Sequence, residues 1–316
     1  MSVAEDMAEA HKHSQSGDNW LNECQRIADG IRRRALAHSI VHGGYLSQAC
    51  SSAEIFGFLY GHAMNLGPSE GLAIPLPYKG WAENKSDRVA GMVYNGGRSA
   101  DNDRFFVSPT HYALVVYAAL IEAGRMGDTA LDQFNTDGSR VEMIGGERSP
   151  GHEVNGGSFG QAISQAAGVA WARKFRRETG RVWVFLGDGE LQEGQTWEAI
   201  MSMGFHELDN MIVVVDVNGQ QVDGRTDEVM GLEPLVEKFN SFGAVAVKAD
   251  GHDLEALNEA IHTRREGKPL VVLGYTVPYT GIPLLKEKYP QLHYIRFHSE
   301  EERKRYKQVL AELTPF

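Results

Sequence analysis

Four short runs made wholly of apolar residues punctuate the second half of this chain: VWVFL (182–186), MIVVV (211–215), AVAV (244–247) and LVVL (270–273). A strand that is apolar at every position has no face to give to water, so both of its faces must be covered. Segments with helical spacing lie between the runs, near 195–207, 232–239 and 253–264, and Asp253 after ADGH is placed to cap the last of them. Alternating buried strands and helices predict a doubly wound α/β domain, a mainly parallel sheet flanked by helices.

The first half reads differently. Residues 1–18 are expected to be a flexible arm, and 19–316 a single domain. Apolar residues at helical spacing predict a helix over 20–41, carrying the basic run Arg32, Arg33, Arg34, which is expected on a solvated face or an intersubunit contact. The stretch HGGYLSQACSS is expected to interrupt the helical pattern, with a helix resuming over 53–64. Residues 67–103 are rich in Gly, Pro, Asn and Lys and form a long connection. The last stretch, SEEERKRYKQVLAEL, predicts an amphipathic helix.

Composition narrows the function classes. With 316 residues, 42% of them hydrophobic, the chain can bury a full core. A net charge of -11, from 42 acidic and 31 basic residues, weighs against nucleic acid or an anionic membrane as partner. Two cysteines, Cys24 and Cys50, imply no disulfide framework and favour a reducing compartment, the cytoplasm. No signal-peptide plan opens the chain, and no apolar run reaches the roughly 18–20 residues of a membrane span.

In a parallel sheet, ligands collect at the carboxyl ends of the strands. Asp188 follows VWVFLG and Asn218 follows MIVVVDV, so the two share one rim. A carboxylate and an amide oxygen are hard ligands suited to Mg²⁺ or Ca²⁺, and Gly187 and Gly189 beside them let backbone approach a phosphate. By itself Gly-Asp-Gly is a tight turn; its pairing with Asn218 and the following QQVDG points to a ligand site. A second glycine-rich entry, NGGSFGQAIS, places Gly156, Gly157 and Gly160 before a helix whose N-terminal N–H groups suit a phosphate. It is not the dinucleotide fingerprint, because no strand leads directly into it.

These residues resemble the thiamine diphosphate signature of the transketolase family, GDGELQEGQTWEA followed about thirty residues later by VDVNGQQVDG. The likeness extends through AEIFGFLY, SPTHYALVVYAAL, KPLVVLGYTV and LHYIRF, and is closest to the N-terminal subunits of split transketolases. It implies the diphosphate-binding domain of that fold, with Asp188, Asn218 and the Gln220 carbonyl on Mg²⁺. Gly157, Ser158, Phe159, Gly187, Gly189 and Glu190 would lie against thiamine diphosphate; His111 would stand beside it and His293 at the substrate mouth. Glu193 and Glu198 resemble the acidic residues that couple two active sites across a dimer.

Departures from the family are equally definite. Gly44-Tyr45-Leu46 replaces a Gly-His-Pro, so Tyr45 stands where a histidine is usual, and His42 is the candidate to replace that imidazole in space. A second Gly-His-Pro is absent before SPGHEVNGGS, and His152 occupies a position the family fills with an apolar residue. The stretch GGYLSQACSSAEIF also resembles the pyruvate dehydrogenase first component.

The resemblance implies transfer of a two-carbon ketol unit from a ketose donor to an aldose acceptor. It also implies a partner chain carrying the pyrimidine-binding and C-terminal domains, in an α2β2 assembly. Transfer to a lipoyl or acyl-carrier thiol, a noncatalytic cofactor-binding subunit and a plain nicotinamide-binding domain are the alternatives.

Overall fold

The computed structural model describes residues 17–78 and 90–313. The expected arm lies outside them except for Gly17 and Asp18, which already belong to the first helix, α1 (Gly17–His42). Of the long connection over 67–103, the described parts are irregular apart from a single 3₁₀ segment, Gly91–Asn95.

The second helix, α2 (Leu46–Phe58), starts well before the expected Ala53. All 13 of its residues are buried, so its polar side chains find partners inside the protein: Ser52 Oγ donates to the Gln48 carbonyl of its own helix at 2.6 Å, whereas Ser47 Oγ and Gln48 Nε2 donate to the Leu292 and His293 carbonyls at 2.7 and 3.2 Å. A polar-looking segment turned wholly inward hides its helical period. Close packing on α1 accounts for the small residues: a Cβ on Gly57 would meet the Cys24 carbonyl oxygen at 2.4 Å.

The basic run is corrected by the same packing. Arg32 is only 4% exposed and ion-pairs with Glu54 of α2, while Arg33 and Arg34 both reach the Glu122 carboxylate. Two of the three arginines are therefore scaffold within this chain, and Arg33 is only about one-third exposed.

Five parallel strands form the sheet: β1 (Arg104–Val107), β2 (Val182–Gly187), β3 (Met211–Val217), β6 (Val245–Asp250) and β7 (Leu270–Tyr275), in the order β1-β2-β3-β7-β6. The strand β1 has no counterpart among the four apolar runs. A small antiparallel hairpin, β4 (Gln220–Gln221) with β5 (Gly224–Arg225), follows β3. Successive side chains of β2 enter opposite cores: Trp183 and Phe185 pack with α1, α2 and α3 (Ala113–Glu122), whereas Val182, Val184 and Leu186 face the other layer. That layer is built from α4 (Gln161–Arg176), α5 (Gly194–Phe205) and α7 (Leu235–Ser241). A one-turn helix, α6 (Thr226–Val229), leads out of the hairpin; α8 (Leu254–Ile261) and α9 (Glu300–Glu312) complete the chain. Asp253 caps α8 as expected, accepting from Glu255 N and Ala256 N at 2.9 and 3.1 Å.

The doubly wound reading thus holds: β1, β2, β3 and β7 send residues into both cores, while the edge strand β6 leaves Lys248 and Asp250 exposed. Among the described residues, no helix is long and apolar enough to cross a membrane.

Candidate cofactor site

Register sets the site. Gly187 of β2 pairs with Asp216 of β3, so Asp188 begins the 3₁₀ turn just past one strand while Asn218 stands just past the other. The hairpin then folds back over them. Gly219 N donates to Asp188 Oδ2 at 2.7 Å, and Gln220 N donates to Asn218 Oδ1 at 2.9 Å. A cleft of about 870 Å³, counted to its open mouth, lies over this rim.

Of the residues expected at a cofactor, Tyr45, His111, Gly157, Phe159, Gly187, Asp188, Gly189, Glu190, Asn218, Gln220 and His293 all line the cleft. Ser158 does not; it is exposed, and its hydroxyl accepts from Gln161 Nε2 at 3.0 Å. Glu193 and Glu198 are exposed at the start of α5, outside the cleft. His42 is also excluded: it is exposed and stacks on His38 at 4.6 Å, so it does not replace an imidazole at Tyr45.

The glycine turn is shaped by crowding. A Cβ on Gly156 would lie 2.6 Å from Thr110 Cγ2, and one on Gly157, whose φ is +87°, would lie 2.7 Å from Thr110 Oγ1. Only glycine allows this turn to press against the segment carrying His111. Glu190 fixes the entry of α4, its Oε1 accepting from Gly160 N at 2.7 Å and from Ser108 Oγ at 2.5 Å.

At the mouth, Tyr45 lies between three rings: His111, His293 and Tyr294, at centroid distances of 5.2, 5.4 and 5.1 Å. Burial, with His293 alongside, pushes the His111 imidazole down to about 3, and burial lowers His293 as well. Both imidazoles are neutral near pH 7, each able to offer one N–H and one acceptor nitrogen.

The deep end of the cleft is acidic. Burial, reinforced by Asp216, raises the Asp188 carboxyl to about 7, and burial raises Glu190 to about 7. Among the described residues lining the cleft there is no lysine or arginine. Several buried acceptors there lack a partner: Glu190 Oε2, Thr110 Oγ1, Gln220 Oε1 and Gln221 Oε1. Among the described residues no three His, Cys, Asp or Glu side chains gather as a metal cage. A sparse oxygen set with spare acceptors fits a cation that keeps waters and shares itself with an anion, the habit of Mg²⁺ bound with phosphates. Residues and group are compatible.

Sequence reasoning missed Asp216, which is fully buried and bonded to Asn218. The signal was present: an acid within MIVVVDV, two residues before Asn218, leaves a strand on the same face as that asparagine.

Comparison with known proteins agrees with this geometry. Residues 93–293 match the model of the transketolase, thiamine diphosphate binding domain. An uncharacterized transketolase family protein of Sinorhizobium fredii is 36% identical over 276 residues, spanning 86% of this chain and 89% of that one. The 6-deoxy-6-sulfo-D-fructose transketolase subunit SqwG of a Clostridium species is 31% identical, spanning 82% and 86%. An apulose-4-phosphate transketolase subunit of Actinobacillus succinogenes is 27% identical, spanning 86% and 91%. Among solved structures, the transketolase of Campylobacter jejuni superposes with a TM-score of 0.69 at 21% identity, over 92% of this chain but 46% of its own. The chain spans less than half of that transketolase and has the fold of the part it matches. Taken together, the matched domain and the relatives of similar length place this protein in the transketolase family, as a chain built on its thiamine diphosphate binding domain.

Proposed function

We propose that this protein is the diphosphate-binding subunit of a split transketolase, which moves a two-carbon ketol unit from a ketose to an aldose once a partner chain completes the site. The observation that carries the reading is the rim itself: Asp188 and Asn218 just past paired positions of adjacent strands, in a cleft with buried carboxylates and no lysine or arginine among its described lining residues. An anion such as a diphosphate enters such a cleft only in company with a cation. Asp188, Asn218 and the Gln220 carbonyl would hold that cation, Mg²⁺ or Ca²⁺, with the Gly187–Gly189 turn and the Gly157–Phe159 turn against the diphosphate.

When bound, thiamine diphosphate supplies an electron sink for breaking a carbon–carbon bond next to a ketone. This chain contributes the anchor and part of the substrate wall. His111 and His293, neutral and 5.0 Å apart, can exchange hydrogen bonds with substrate hydroxyls or carbonyl oxygens, and Tyr45 narrows the space between them. A partner is supported by the relatives whose names call them subunits, SqwG and the apulose-4-phosphate transketolase subunit. Glu193 and Glu198, exposed beside the site, are free to face a second copy in an α2β2 assembly. Cys24 and Cys50 are free thiols, buried, as suits the cytoplasm.

The test is turnover of a ketose or ketose phosphate donor with an aldose acceptor, by this chain mixed with its partner, in the presence of thiamine diphosphate and Mg²⁺. Turnover that disappears in Asp188→Ala supports the reading. Undiminished turnover in that variant sinks it, and transfer to a lipoyl or acyl-carrier thiol in preference to an aldose would reassign the acceptor.

A further inference from the structure

We infer that Asp216, together with Tyr112, is a positioning residue that decides which end of the Asn218 amide faces the cation. The inference rests on the reading above, in which Asp188 and Asn218 hold a divalent cation. Asp216 and Asn218 are two residues apart where β3 ends, so their side chains leave the same face.

Asp216 is fully buried and receives donors from four parts of the chain. Its Oδ2 accepts from Ser51 Oγ of α2 at 2.6 Å, from Tyr112 OH at 2.8 Å and from Asn218 Nδ2 at 3.1 Å. Its Oδ1 accepts from Thr276 Oγ1, just past β7. An ionised carboxylate can only accept, so Asn218 must turn its NH₂ group toward it. Tyr112 strengthens the same choice: its one proton goes to Asp216, and the phenol oxygen then accepts from Asn218 Nδ2 at 3.2 Å. The amide oxygen is left on the opposite side, where it accepts from Gln220 N at 2.9 Å and keeps a lone pair toward the cleft.

Two consequences follow for the cation. Asn218 meets it with the oxygen already aimed, since the reversed amide would set oxygen against carboxylate. The charge of Asp216, opposite Gly187 in the strand register and beside Asp188, attracts a divalent ion without touching it. Groups that orient a ligand in this way typically cost 10–100-fold in metal affinity when removed.

The experiment is a titration of the full-length protein, mixed with its partner chain, with Mn²⁺ in the presence of thiamine diphosphate, following free Mn²⁺ by electron paramagnetic resonance, so that turnover is not needed. Asp216→Asn should weaken Mn²⁺ by about 10–100-fold, and Tyr112→Phe in the same direction by less. Asn218→Asp should also weaken it, although a carboxylate is by itself the stronger ligand, because two anions then face each other. The exchange variant, Asp216→Asn with Asn218→Asp, restores a donor facing an acceptor and should recover most of the lost affinity. A wild type that binds no Mn²⁺ removes the cofactor reading and this inference together. Wild-type binding matched by equal affinity in Tyr112→Phe and Asp216→Asn, or an exchange variant no better than its parents, overturns the inference alone. Should Asp216→Asn fail to fold, Tyr112→Phe and the exchange variant decide.

Discussion

Glu190, in the 3₁₀ turn just past β2, holds the residue that caps α4 by accepting the Gly160 N–H at 2.7 Å, across 30 residues of sequence. The same oxygen takes the Ser108 hydroxyl, so one buried carboxyl joins three segments of the cleft.

Removing that acceptor strands two buried donors. Glu190→Ala should therefore destabilise the protein by about 2–4 kcal/mol, while Glu190→Gln keeps an acceptor oxygen and should stay within about 1 kcal/mol of wild type. Urea unfolding of both variants checks this, and equal losses would show that the hydrogen bonds to Gly160 and Ser108 are not what matters.

The trio of buried Arg32 and Glu54 with partly exposed His252 gives a second prediction. Glu54 pairs with Arg32 and accepts from His252 Nδ1 at 2.9 Å, while Val277 N donates to His252 Nε2 at 2.8 Å. Glu54→Leu leaves the buried Arg32 with only Asp29 at 3.8 Å and the Cys50 carbonyl at 3.3 Å, at a cost of about 3 kcal/mol. The double variant Arg32→Met, Glu54→Leu removes both charges and should recover most of that loss. A double-mutant cycle by chemical denaturation measures the coupling, and strict additivity would count against it.

His152 makes stability depend on pH. Its ring is fully buried, Nδ1 donates to the Pro150 carbonyl at 3.1 Å, Nε2 has no partner, and its nearest ring neighbour is Tyr117. Burial pushes the imidazole down to about 4, whereas an unfolded histidine titrates near ~6.5. Below ~6.5 the unfolded chain binds the proton and the native chain does not, so this stability is complete above ~6.5 and drains as pH falls toward about 4. The loss amounts to about 3 kcal/mol. His152→Leu should lose less stability than wild type between pH 7.5 and 4 by about that amount, read from urea midpoints across the range. Parallel curves for the two proteins would rule His152 out as the titrating group.

Ligand binding supplies a thermal test. A group that binds only the native state at 100 times its dissociation constant adds about 2.7 kcal/mol. Thiamine diphosphate with Mg²⁺ should raise the melting temperature, EDTA should cancel the rise, and Asp188→Ala should abolish it. A rise that survives both would place the ligand away from Asp188.

Much of this was visible in the residues. VWVFL, MIVVV and LVVL announce central strands because they are buried on both faces, and the Gly-Asp-Gly turn with Asn218 announces their shared rim. RFFV was silent: four residues after a long irregular connection carry too little pattern to mark β1. The segment LSQACSS was misleading, since small polar residues look like a loop until their distant partners, Leu292, His293 and Asp216, are in place.

Local pattern was enough for the doubly wound class and for the shared rim of Asp188 and Asn218, because both depend on which residues can be buried and where a strand must end. Tertiary structure alone decided that Arg32 lies inside against Glu54, that His42 stays away from the cleft while Tyr45 meets His111 and His293, and that Asp216 turns the Asn218 amide. Each of those depends on a partner far away in the chain. A charge or an amide carries no mark of what it will face; only the packing of strands and helices brings that neighbour within a hydrogen bond's reach.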